Sequence, residues 1–268
     1  ISSKIRLFAD DCVIYRSINS SADNDILQSD LQILEEWCRR WLMALNTNKT
    51  VLASFHRRQN YPTPNYLLNG SSVSSLNCIK YLGVHISGTL NWSTHIARII
   101  SNANRTFGYL RRNLRLASPA VKLLAYKTLI RPKLEYASAI CDRVQLNLTK
   151  SIELAQNHAV RFIYSNYLYS TSVTCLKNNA CLLNLQQRRI VARVCFCSKM
   201  FHNFPYNCPI QPAYRSSART SHHKDVYPSP ACTVTHLHSF FVQTARDWNN
   251  HPTSAILHTS PDHFKKAI

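Results

Sequence analysis

The chain has 268 residues and a formal charge of +19, with 32 Lys and Arg against 13 Asp and Glu, which is enough length for a real core and more readily for two units than one. Four glycines (Gly70, Gly83, Gly88, Gly108) argue against a Gly-rich phosphate loop or dinucleotide fold, so no small-molecule organic cofactor is expected. Ten scattered cysteines without a C-x-x-C pair read as buried thiols rather than a disulfide framework, and no apolar run is long enough to span a bilayer.

The chain opens at Ile1 without a leader pattern and reads as a fragment. Ile5 and Leu7 alternate with Lys4 and Arg6, and Cys12 to Tyr15 is a continuous apolar run, so the stretch reads as strand, tight turn, strand. Asp10 and Asp11 then sit at the tip. Two adjacent anions repel unless a cation compensates, which makes a divalent metal their natural partner; a solvated Asp-Asp turn is the alternative.

Asp23 is the expected N-cap of a helix in which Leu27, Leu31, Leu34, Trp37, Trp41 and Leu45 recur at three- and four-residue steps. The stretches 50–55, "NYLLNG" and "KYLGVHIS" read as strands, with Asn69-Gly70 supplying turn chemistry. From Trp92 the period is helical, and Ile96, Ile99, Ile100, Ala103, Phe107 and Leu110 share one face. Ser118-Pro119 opens another helix, which Pro132 should kink. Further helices are expected from Thr149 and over 182–201. Seven of the 11 prolines and eight of the 12 histidines fall after Lys199, so 202–235 reads as loop, followed by a short amphipathic helix around "FFVQTARDWNN".

Charge is distributed unevenly. Seven of the 13 acids lie in the first 36 residues; Trp37 to Leu134 has none and carries 15 Lys and Arg, and Leu154 to Lys224 has none and carries nine. Fields of this kind attract polyanions by counterion release, and Tyr109, Tyr126, Phe162 and Tyr164 add stacking surface, which points to nucleic acid. A membrane surface fits less well, because the basic residues are spread over many elements instead of one amphipathic helix. Cys195, Cys197, His202 and Cys208 can be written as a zinc set, but C-x-C spacing on a helix directs the sulfurs apart.

The ordered blocks "FADD" (8–11), "LNTNKT" (45–50), "YLGVHIS" (81–87), "VKLLAYKTLIRPKLEYAS" (121–138), "IELAQNHAVRFI" (152–163) and "LQQRR" (185–189) together resemble a non-LTR retrotransposon reverse transcriptase. The resemblance implies an α+β fold: a truncated palm with short antiparallel strands over 1–90, a basic and mainly α-helical thumb over 91–201, and a Pro/His-rich connecting region over 202–268. It implies an RNA-directed DNA polymerase working on an RNA template, a DNA primer and deoxynucleoside triphosphates, with Mg²⁺ or Mn²⁺ at Asp10 and Asp11. Lys49 matches a basic residue near the incoming phosphates. Tyr81, Leu82 and Gly83 match the primer-grip turn, and Arg105, Arg111, Arg112 and Arg131 are the implied phosphate contacts. A nucleus or cytoplasmic ribonucleoprotein follows from the resemblance alone. The family's further palm carboxylate and fingers would lie upstream of Ile1, so this chain is not expected to polymerise alone. Cys141-Asp142-Arg143 and "WNNHP" depart from the family pattern, which leaves a catalytically dead, nucleic-acid-binding relic as the alternative.

Overall fold

The computed structural model describes residues 1–56, 64–141, 146–203, 226–227, 229–251 and 263–265, and the chain divides into two compact units, Ile1–Asn91 and Trp92–Ile268. Short strands fill the first unit and helices the second, an α+β composition.

In the first unit, β1 (Lys4–Phe8) pairs antiparallel with β2 (Asp11–Tyr15). Helix α1 (Ser21–Arg40) follows. Its N-cap is Ser20 rather than Asp23: Asp23 stands at the third helical position and accepts the backbone N–H groups of Asn19 (3.0 Å) and Ser20 (3.1 Å). Those bonds and the Arg16 guanidinium, 3.0 Å away, lower the Asp23 carboxyl to about 2. The helix ends at Arg40 and does not run through Trp41 to Leu45. Leu42 turns left-handed at φ 55, its N–H reaches the Arg39 carbonyl at 3.2 Å, and the Met43 N–H reaches the Cys38 carbonyl at 2.8 Å, which closes a Schellman turn without glycine.

The strand expected over 50–55 shortens to β3 (Val51–Leu52), which pairs in parallel with β6 (Ser74–Ser75). Between them, β4 (Leu67–Leu68) and β5 (Ser71–Ser72) form a hairpin across Asn69 and Gly70, both left-handed at φ 49 and 72. Helix α1 clamps this hairpin through polar groups: the Gln28 amide donates to the Leu67 carbonyl (2.9 Å) and accepts its N–H (2.8 Å), and the Tyr66 hydroxyl donates to Asn24 (2.9 Å). A second hairpin, β7 (Cys78–Tyr81) with β8 (Val84–Ser87), ends the unit. Gly88 follows it, and a Cβ there would meet the Ser54 carbonyl oxygen at 2.7 Å.

The second unit begins with α2 (Ser93–Asn113) and α3 (Pro119–Ala125), the latter with Ser118 at its N-cap and Pro119 at its first position. A π-helical turn, Tyr126–Ile130, joins α3 to α4 (Arg131–Leu134), and the Arg131 N–H bonds the Tyr126 carbonyl across it. Pro132 has no N–H to give, so the ladder widens immediately ahead of it. Then come α5 (Leu146–Ile163), starting three residues before Thr149, and α6 (Val173–Asn179), a short helix that the sequence pattern does not mark. Helices α7 (Leu185–Asn203), α8 (Val234–Leu237) and α9 (Phe240–Asn249) complete the described elements. Most of the Pro/His-rich stretch read as loop lies outside the described residues.

Ile96, Ile99, Ala103 and Leu110 of α2, Tyr126 and Ile130 of the π turn, Leu134, and Ile152, Ala159, Val160 and Ile163 of α5 share one buried cluster. Val194 and Cys197 of α7 form a smaller one with Ala245 and Trp248 of α9, and the Phe264 ring stacks on Trp248 at 5.7 Å.

Polar groups set the register of these helices. The Glu153 carboxylate accepts Lys177 Nζ, the Leu185 N–H (3.0 Å) and Gln156 Nε2 (3.2 Å), and Gln156 also donates to the Leu183 carbonyl (3.0 Å). The Tyr126 hydroxyl donates to Gln156 Oε1 at 2.5 Å, and burial pushes its phenol far above the ordinary range, so it remains a donor. Tyr126→Phe removes that donor from a fully buried carbonyl. The expected loss is about 1–3 kcal/mol in chemical denaturation with helical content unchanged; an unaltered midpoint would show that the bond carries nothing.

Candidate functional site

Asp10 and Asp11 sit at the end of the first hairpin. Phe8 pairs with Asp11, which leaves Ala9 and Asp10 as a two-residue loop, and Ala9 takes the left-handed φ of 50 that a primed hairpin turn demands. Both aspartates are exposed, and among the described residues neither carboxylate makes a hydrogen bond or an ion pair. Carboxylate oxygens are the hard donors that Mg²⁺ and Mn²⁺ take, and both side chains here are unengaged. No group of three His, Cys, Asp or Glu side chains able to hold a metal occurs among the described residues.

The hairpin is a two-stranded sheet with Leu7 70% and Phe8 62% exposed. What fixes its entry is Asp30, buried on α1. Its carboxylate accepts the backbone N–H groups of Ser2 (2.8 Å) and Ser3 (2.7 Å) and the Ser2 hydroxyl (3.2 Å), so the chain start is tied to the helix just ahead of β1. Burial raises the Asp30 carboxyl, but the serine hydrogen bonds overcome it and hold it at about 2.

Lys49 lies exposed in the turn after α1, with its N–H on the Asn46 carbonyl (3.1 Å); the described contacts include no bond between it and either aspartate. Tyr81, Leu82 and Gly83 form the tip of the β7–β8 hairpin, where Leu82 (φ 46) and Gly83 (φ 80) are both left-handed. Cys195 and Cys197 lie on α7, and Cys208 is outside the described residues.

In the second unit Arg105, Arg111 and Arg112 are exposed on α2, and Arg131 is half-buried on α4. Arg98, Arg105 and Arg112 recur every seven residues, which places their Cβ atoms on one stripe of the helix. Arg111 and Arg112 also border a cavity of about 810 Å³ together with Arg115, Lys122, Phe162 and Tyr167; Arg105 and Arg131 do not line it. Arg115 and Lys122 are the residues that the sequence reading passed over. Arg115 follows Arg111 by four positions and belongs to the same basic run, a signal that was present. Lys122 gives no such signal, since only the fold buries it.

Each described carboxylate of this unit is engaged within the fold: Glu135 with Arg188, Glu153 with Lys177, and Asp247 with Arg193. Among the described residues none is left to neutralise the cavity, so no described carboxylate compensates the four cations around it.

Comparisons with known proteins bear on the family the chain resembles. The chain is 30% identical over 166 residues to a probable RNA-directed DNA polymerase from transposon X-element of Drosophila melanogaster, covering 60% of the chain and 18% of that protein. It is 27% identical over 164 residues to the RNA-directed DNA polymerase from mobile element jockey of the same fly, covering 59% and 18%. It is 32% identical over 111 residues to a retrovirus-related Pol polyprotein from type-1 retrotransposable element R1 of Bradysia coprophila, covering 40% and 11%. The chain is related to non-LTR retrotransposon RNA-directed DNA polymerases. It spans less than a fifth of the length of these curated relatives. No family model and no solved structure matches it.

The Asp30 anchor has a pH signature. Its folded carboxyl lies near 2 against an ordinary 3.8, so its stabilising effect is complete above about pH 4 and is lost as pH falls towards 2. Asp30→Asn should lower amide-exchange protection of β1 at neutral pH and flatten its decline between pH 4 and 2. Wild-type-like protection in the variant would remove Asp30 as the hairpin's anchor.

Proposed function

We propose that the chain is the palm-to-thumb segment of a non-LTR retrotransposon RNA-directed DNA polymerase, with the end of the palm in 1–90, the thumb in 91–201 and a connecting region in 202–268. The observation that carries the reading is the pair of exposed, unengaged carboxylates at the tip of a two-residue hairpin, in a chain related to such polymerases. Asp10 is the stronger ligand, being free of the strand ladder, and Asp11 supports it. Bound there, Mg²⁺ or Mn²⁺ would supply activation of a primer 3′-hydroxyl and neutralisation of the departing pyrophosphate. Lys49 would approach the nucleotide phosphates, and the Tyr81–Gly83 tip would seat the primer end. Arg105, Arg111, Arg112 and Arg131 would hold the template and primer by sequence-independent phosphate contacts.

Among the described residues no helix is long and apolar enough to cross a membrane. A ribonucleoprotein in the nucleus or cytoplasm is the proposed setting.

A second reading is a nucleic-acid-binding protein without catalysis. It is favoured by one observation: the described residues bring no third ligating group to Asp10 and Asp11, whereas Arg98, Arg105 and Arg112 share one stripe of α2. Metal separates the two. Joined behind the upstream segment of a related polymerase, the chain should extend a primer with Mg²⁺, and Asp10→Asn should abolish extension while leaving nucleic-acid binding in place. Binding without extension in the wild-type fusion would select the second reading. In either case Arg105→Ala should weaken binding similarly across sequences and reduce the salt slope by about 1, measured by fluorescence anisotropy. A slope unchanged by Arg105→Ala would remove α2 from the phosphate contacts.

A further inference from the structure

Lys122 is a buried ammonium, 4% exposed, with no carboxylate partner among the described residues. Its Nζ donates to Ser165 Oγ at 2.8 Å and stands 5.0 Å from the centroid of the Phe162 ring. Around the cavity that it borders, Arg111, Arg112 and Arg115 add three exposed guanidiniums, and the described acids of the unit are all committed elsewhere. Four cations lining one concave space, with no described carboxylate beside them, describe an anion site.

Two aromatic rings, Phe162 and Tyr167, also line the cavity, beside Gly108, Leu116 and Ser165. Tyr167 lines the cavity and is 56% exposed, and Tyr169, two residues on, is fully exposed. These rings stand on a shaped loop. Arg161 donates to the carbonyls of Leu168 (2.8 Å) and Thr171 (3.3 Å), and Ser165 turns left-handed at φ 50 just past α5. The loop thus holds its tyrosines out at little further cost in conformational entropy. A volume of about 810 Å³ lies within the range of about 300–1,000 Å³ for small-ligand clefts, room enough for a nucleoside with its phosphate.

The geometry points to a single-strand site: the Arg111–Arg112–Arg115–Lys122 cavity takes the phosphates of an unpaired RNA or DNA segment, whose bases stack on Tyr167 and Tyr169. This rests on the nucleic-acid reading above and gives it a strand state. Stacking tolerates any base and guanidiniums tolerate any phosphate, so the site is expected to be indifferent to sequence.

The test uses the full chain with fluorescein-labelled 12-nucleotide single strands of RNA and of DNA and the 12-base-pair DNA duplex, at matched salt. The single strands should bind more tightly than the duplex. Tyr167→Ala should weaken single-strand binding about tenfold and leave the duplex within twofold. Because Tyr167 is exposed, this variant is expected to keep its thermal midpoint. As a check independent of substitution, a 5-iodouracil-substituted single strand should crosslink to Tyr167 or Tyr169, identified by peptide mass spectrometry. Tighter duplex binding, equal losses for both forms, or crosslinks confined to the first unit would overturn the site and leave the polymerase reading standing. Failure to bind any nucleic acid would overturn both.

Discussion

The Glu153 carboxylate is the contact on which the helical unit turns. It takes the Lys177 ammonium from α6, the Leu185 N–H that opens α7, and the Gln156 amide one turn along its own helix. Three elements are therefore registered by one anion. Gln156 extends the network to the Leu183 carbonyl and to Tyr126 in the π turn, so the widened turn ahead of Pro132 is tied to α5 as well. Ion pairs this far from water add modestly to net stability, but removing one partner strands the other. Glu153 is thus a constraint on arrangement more than a source of energy.

The same economy decides where the positive field appears. The unit's described acids, Glu135, Glu153 and Asp247, all face inward to Arg188, Lys177 and Arg193. Of the other described cations, Arg189 is buried on the Leu134 carbonyl, whereas Arg111, Arg112, Arg115 and Lys122 line the cavity. A unit whose described carboxylates all serve register leaves its exposed cations unneutralised by them, a distribution that favours polyanions over other partners. The first unit works differently. Its described buried apolar residues are few, Cys38, Tyr66, Leu68 and Val84, and side-chain amides and carboxylates of α1 hold its hairpins and chain start.

Hydrophobic period and turn chemistry made much of this legible. The apolar face of α2, the Ser118-Pro119 start and the Asn69-Gly70 turn all follow from local rules that the structure keeps. Where local rules failed, tertiary contacts had replaced them. Leu42 ends α1 in a conformation that leucine rarely adopts, so no residue type announced it. Helix α6 is seven residues long and shows too little period to detect, and it is held by the Lys177 bond to Glu153. The blocks "EYAS", "IELAQNHAVRFI" and "LQQRR" were recognisable as patterns, yet their physical work, Glu135 on Arg188 and Glu153 on Lys177 and the Leu185 N–H, pairs residues 24 to 53 positions apart. Asp10 and Asp11 stood out in the sequence as adjacent acids between two apolar runs, and among the described residues their side chains stay unengaged; Lys122 did not stand out, because sequence alone shows a lysine on an amphipathic helix.

Lys122 poses the sharper physical problem, since an ammonium removed from water without a carboxylate is costly. Three modest terms meet it. The Ser165 hydroxyl accepts one proton bond, and the Phe162 ring presents its negative face. The third is the carboxyl end of α5, which closes at Ile163, two residues before Ser165, and carries the partial negative charge of unpaired carbonyls. Ser165 itself turns left-handed at φ 50 immediately past that helix end, and its hydroxyl meets the ammonium there. Dipoles of this kind solvate a cation without cancelling it. A carboxylate in the same place would have formed a closed pair, and the cavity would have lost its field; a helix end, a hydroxyl and a ring keep the ammonium folded in while leaving its charge available to whatever anion enters.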